Sequence, residues 1–162
     1  MSWTVATSHI KVLGEIAYRK GSLERLGDAR ILLDSEQFAG SIYLAGRGVE
    51  AMLRALIWRH DFDIRQGRQA LETGHDLREL LSRVRNLGLL SSNTRDVAFA
   101  VAVQSIGRKW HNDMRYFSTK TLETAWWRLG IVGKRWTLKQ AAVEFFDACA
   151  VVIKRGEELC TT

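Results

Sequence analysis

The chain has 162 residues, 46% of them apolar and 26% charged, no proline, and a net charge of +6. These are ordinary values for one soluble globular domain, and the lack of proline, which would break helices, favours an all-α protein. No segment reaches the ~18 uninterrupted apolar residues of a membrane span.

The first 20 residues carry His9, Lys11, Glu15, Arg19 and Lys20, so no secretory signal is visible and a cytoplasmic location is expected. Cys149 and Cys160 are the only cysteines. On one terminal helix they would lie roughly 16 Å apart, too far for a disulfide, and two reduced thiols are expected. No Cys/His spacing resembles a zinc site, so neither a metal nor another cofactor is expected. The positive charge admits an acidic partner such as nucleic acid or a nucleotide; a basic but inert surface is the alternative.

In chain order, Trp3 to Arg19 reads as a first helix or helical arm, with Val5, Ile10, Val12, Leu13, Ile16 and Ala17 apolar. Gly21 and Ser22 end it. This divides the single domain 1–162 into an N-terminal arm over 1–21 and a bundle over 22–160. Leu23 to Leu33 is the next helix, with Leu26, Ala29, Arg30 and Leu33 on one face. A connector over Asp34 to Glu36 follows. Gln37 to Arg59 is the clearest helix. Phe38, Ile42, Ala45, Val49, Met52 and Leu56 recur at spacings of 4, 3, 4, 3 and 4, an apolar helical stripe. Tyr43, Arg47, Glu50 and Arg54 lie ~200° away, on a face expected to meet water or a partner.

His60 to Gly74 reads as a loop. Thr73 and Asp76 form a capping pair for a helix from His75 to Leu87, with Leu77, Leu80, Leu81 and Val84 inward and Gly88 as its stop. Asn93 and Asp96 cap a helix from Thr94 to about His111, whose core face is Phe99, Val103, Ile106 and Trp110. Tyr116 to Thr121 is a hydroxyl-rich turn. Leu122 to Trp136 is a tryptophan-rich helix interrupted at Gly130 and Gly133. Thr137 and Gln140 form a capping box for the last helix, which runs to about Glu158. No stretch reads as a strand, and there is no internal repeat.

Opposite the Phe99 stripe, Gln104, Arg108, His111 and Arg115 step by 4, 3 and 4 if the helix runs that far. Arginine holds phosphate bidentately and histidine shuttles protons near neutral pH. The plainer alternative is a solvated stripe paired with Asp113 and glutamates. His60-Asp61 and His75-Asp76 invite comparison with all-helical HD-type metal phosphohydrolases. Only 15 residues separate the histidines and no third carboxylate is placed, so His75 reads as a packing or capping residue. Gly46, Arg47 and Gly48 superficially fit a dinucleotide fingerprint, but no strand precedes them. Gly40, Ala45, Gly46 and Gly48 instead predict a close helix–helix approach. Trp126 and Trp127 lie ~100° apart on a helix, so one is core and the other faces outward. No Ser/His/Asp or Cys/His nucleophile set is suggested.

Three segments together resemble the HEPN family of small helical bundles. Ala29 to Ile57 is similar to the family's helix pair, in which a glutamate is followed by a basic residue, here Glu50 and Arg54. GHDLRELL over Gly74 to Leu81 resembles its helix-opening His-Asp-Leu. WHNDMRY over Trp110 to Tyr116 resembles its tryptophan and Arg-Tyr pair. The resemblance implies an up-and-down bundle of about four to five core helices, here with an extra N-terminal helix, and a homodimer. It also implies work on RNA or nucleotides, often beside a nucleotidyltransferase-like antitoxin partner in a prokaryotic toxin–antitoxin or defence system. The expected binding residues are Arg47, Glu50, Arg54, Gln104, Arg115 and Tyr116. Catalytic members cut RNA without metal, using an Arg and a His set further apart than Arg108 and His111. Binding therefore ranks ahead of cleavage by that pair. A metal-independent endoribonuclease and a purely structural dimerisation module are the alternatives.

Overall fold

Phe38, Ile42, Ala45, Val49, Met52 and Leu56 are all buried, and the helix that carries them is the centre of the core. Each such large side chain contributes about 1.5–3 kcal/mol relative to exposure. The computed structural model describes residues 14–68, 71 and 74–162. Among the described residues the regular elements are all helical. They are α1 (Gly14–Asp34), α2 (Phe38–His60), the single turn α3 (Phe62–Arg65), α4 (Leu77–Asn86) and α5 (Thr94–Lys109). A 3-10 helix (Asn112–Tyr116), α6 (Thr119–Arg128) and α7 (Leu138–Thr161) complete the set. The protein is an all-α bundle, and none of the described helices is long and apolar enough to cross a membrane.

Cross-links between helices give their directions. Lys139 pairs with Glu36, beside the start of α2, while Gly48 lies against Ile153, so α2 and α7 run the same way. Asp96 bonds Arg155 and Lys109 pairs with Glu144, so α5 runs antiparallel to α7. The connection 61–76 carries the chain back from the end of α2 to its middle, where α4 begins. That return is what brings His75 beside Glu50.

α1 is continuous through Gly21 and Ser22, against the expected break. Ser22 is buried, and its hydroxyl donates to the Gly48 carbonyl at 2.7 Å, so the supposed terminator ties α1 to α2. The 3–13 part of the expected arm lies outside the described residues, as does Thr73. Asp76 itself caps α4 by accepting from the Arg78 N–H. Arg30, placed on the inward face by spacing, is exposed and pairs with Asp34. The tryptophan-rich helix stops at Arg128, because Gly130 takes a φ of 71° that turns the chain, and Trp136 lies outside any helix. Trp126 is core and Trp127 is exposed.

The expected close approach occurs at Gly46. A Cβ there would overlap the Trp110 indole, which also stacks on Tyr43 with ring centroids 6.5 Å apart. Asn93 and Thr137 cap α5 and α7 as their spacing predicts.

The carboxylate of Asp96 is buried beneath the Ser91 turn. It accepts from the Ser91 N–H and hydroxyl at 2.9 Å each and from Arg155 at 2.8 Å. Burial alone would raise its pKa, but the Ser91 and Arg155 bonds outweigh burial, and the net direction is down. A depressed carboxyl stabilises the fold above its unfolded value and loses that contribution as pH falls through the folded one. Asp96→Asn should therefore cost about 1–3 kcal/mol at neutral pH and flatten the fall in stability below roughly pH 4. Urea midpoints measured against pH test this; parallel curves for both proteins would contradict it.

Candidate functional site

Glu50 faces away from the apolar stripe, yet it is only 3% exposed. The expected water-facing stripe is thus partly covered. α1 and the connection before α4 both lie against it. A buried carboxylate needs partners, and three basic side chains supply them. Arg47 Nη1 donates to Oε2 at 2.6 Å, and Arg54 Nε donates to Oε1 at 2.9 Å. Nδ1 of His75 lies 3.0 and 3.1 Å from the two oxygens. It is also 3.0 Å from Arg47 Nη1. The carboxylate contacts decide the arrangement, since an unprotonated Nδ1 would set its lone pair against two anionic oxygens. Nδ1–H therefore donates to Glu50, and the Arg47 contact is not a hydrogen bond.

The two arginines have different jobs. Arg54, with a side chain 11% exposed, also donates from Nη1 to the Leu71 carbonyl and from Nη2 to the Gly74 carbonyl. It fastens the connection that presents His75. Arg47 is 27% exposed, and among the described residues only its Nη1 is bonded, to Glu50. Arg25 of α1 and Tyr18 complete a cleft of about 370 Å³ with Arg47, Glu50, Arg54 and His75. A second cleft, of about 430 Å³, is lined by His75, Arg78, Trp110, His111, Asn112 and Asp113 among others. His75 belongs to both. The Trp110 Nε1–H is turned toward Gly46 and finds no acceptor among the described residues.

The 4, 3, 4 polar stripe does not survive as one face. α5 ends at Lys109, and Trp110 adopts an extended φ/ψ of −114° and 139°. His111 then caps the 3-10 helix, its Nδ1 accepting the Asp113 N–H at 3.2 Å. Arg115 lies over the exposed Tyr116 ring at 4.6 Å, Arg108 is exposed and Gln104 half-buried. Gln104, Arg108, Arg115 and Tyr116 line neither cleft. The stripe of Gln104, Arg108, His111 and Arg115 expected from spacing is thus broken up, and His111 alone of its members lines one of the two clefts.

Arg25 and Arg78 were missed by sequence reading, and His75 was underrated. Arg25 and Arg78 lie on other helices, so no local spacing connects them to Glu50. The only available signal for His75 was its place in the His-Asp-Leu segment. His60 is elsewhere, 3.2 Å from the Leu159 carbonyl, so the two His-Asp dipeptides do not converge. No group of three or more His, Cys, Asp or Glu among the described residues could hold a metal ion. Cys149 and Cys160 are free and buried; burial raises both thiols, Cys160 to about 11, which keeps them protonated and unreactive at neutral pH. No protein-family model, curated protein or solved structure matches the chain.

Proposed function

We propose that the chain is a HEPN-like helical domain that binds RNA or a nucleotide through its phosphate, in the cleft beside Glu50. One observation carries this reading. Three guanidiniums, of Arg25, Arg47 and Arg54, line the cleft with Glu50 as its carboxylate, so positive charge is left over. Arg54 is committed to the fold, which leaves Arg25 and Arg47 to meet an anion. The volume suits a phosphate with part of a nucleoside. The resemblance of three segments to the HEPN family supports the same ligand class. It extends the proposal to a homodimer and to a nucleotidyltransferase-like partner; a small nucleotidyltransferase gene beside this one would favour the toxin–antitoxin reading.

Arg47→Ala should weaken binding of a short single-stranded RNA about tenfold at low salt and lower the salt dependence by about one phosphate contact. Fluorescence polarisation across a salt series measures both. Arg115→Ala is the informative comparison. If it weakens binding more than Arg47→Ala does, RNA lies on the exposed Arg115–Tyr116 surface and the cleft reading is wrong. If wild type binds neither RNA nor nucleotide at low salt, the purely structural module stands in its place.

A further inference from the structure

The cleft beside Glu50 holds more positive charge than one internal phosphate of a nucleic acid can answer. Three guanidiniums line it and Glu50 is its one carboxylate, so with His75 neutral a charge of +2 is left. The lining surrounds about 370 Å³, less than a cube whose side is one screening length at physiological salt, roughly 8 Å. These charges therefore act on a bound group together. Glu50 has nothing in reserve for them, because its two oxygens already accept from Arg47, Arg54 and His75. Arg25 is half-buried, yet among the described residues it has no hydrogen-bond or ion-pair partner. Its stem lies against α2: a Cβ on Gly48 would stand 3.7 Å from the Arg25 Cβ, one residue beyond Arg47. Arg47 itself has Nε and Nη2 without a partner among the described residues.

We infer that this cleft selects a phosphomonoester, the phosphorylated end of an RNA chain or a mononucleotide, over the phosphodiesters inside a chain. The inference rests on the reading that a nucleic-acid phosphate binds beside Glu50. A phosphomonoester carries a charge of about −1.5 to −2 at pH 7 and three terminal acceptor oxygens, which matches the charge left in the cleft. A phosphodiester carries one negative charge on two free oxygens and leaves part of the cleft unanswered. The free fork of Arg25 and the unbonded edge of Arg47 supply donors from two helices, and a group with three acceptor oxygens has room for both. Arg54 adds its charge without leaving the carbonyls it holds. Ala17 and Ala51 give the rest of the space small apolar walls, and Tyr18 an aromatic ring, which suits the nucleoside that bears the phosphate.

The test measures binding of the full chain to two short single-stranded RNAs labelled at the 3′ end, by fluorescence polarisation at low salt. One strand has a 5′-phosphate. The other has a 5′-hydroxyl and two more nucleotides, so total charge is nearly matched and only the monoester differs. The phosphorylated strand should bind about tenfold more tightly. Adenosine 5′-monophosphate should displace it, and the diester ApA at the same concentration should not. Arg25→Ala should abolish the preference between the strands, and Arg25→Gln, which keeps most of the stem, repeats the test should the alanine variant fold poorly. Equal affinity for the two strands overturns the selection and leaves the binding reading intact. Failure to bind either strand overturns the binding reading, and the selection with it. Inorganic phosphate that displaces the strand as well as the mononucleotide does overturns a nucleotide as the bearer. A preference that survives both Arg25 variants overturns the role given to Arg25.

Discussion

Val49→Asp unfolds the protein. Val49 is fully buried on α2, one turn from Ala45 and Leu53. An ionised carboxylate there has no cation to meet and costs several kcal/mol, against a total stability of roughly 5–15 kcal/mol for a domain. The adjacent position makes the point by contrast. Glu50 is almost as buried, but a rotation of ~100° turns it to Arg47, Arg54 and His75 instead of the apolar stripe. Circular dichroism and a thermal melt measure the outcome. A Val49→Asp protein as helical and as heat-resistant as wild type would sink the assignment of this stripe to the core.

Glu50→Ala is the second large effect, expected at about 3–5 kcal/mol, because removing one member of a buried ion cluster strands the others. Arg54 suffers most, since its guanidinium is nearly enclosed and loses its anion. The double variant Glu50→Met with Arg54→Met should recover much of the loss, as apolar side chains of similar volume replace buried pairs at little cost. Urea midpoints of the three proteins decide this. An unchanged midpoint for Glu50→Ala would mean that water already satisfies the guanidiniums, and the cluster would then be no organising feature of the site.

Much of the scaffold was legible because local physics writes it into local spacing. The α2 stripe and the caps at Asn93 and Thr137 follow from side-chain size and hydrogen-bonding capacity within a few residues, and the glycines of α2 announced a close approach without naming Trp110 as the neighbour. The misreadings share one cause. Ser22 was taken as a stop, since a Gly-Ser pair usually is one, and nothing near it in sequence announces the Gly48 carbonyl it bonds across the helix pair. α5 ends early because Trp110 is drawn under Gly46, far earlier in the chain. The site was half legible. Glu50, Arg47 and Arg54 share a helix face and could be grouped by spacing, but their burial could not, because it depends on α1 and on the return of the chain before α4. His75 joins them only through that return.

Arg54 grips its neighbour in an unusual currency. It recognises the carbonyls of Leu71 and Gly74, groups that every amino acid supplies. The side chains along that connection can therefore drift over evolutionary time, or be exchanged in a library, without surrendering the anchor. Arg54 itself has no such latitude, because a lysine offers one ammonium where three separately aimed donors are in use. The segment that delivers His75 to the cleft is thus open to diversification in what it says to a ligand while remaining fixed in where it says it.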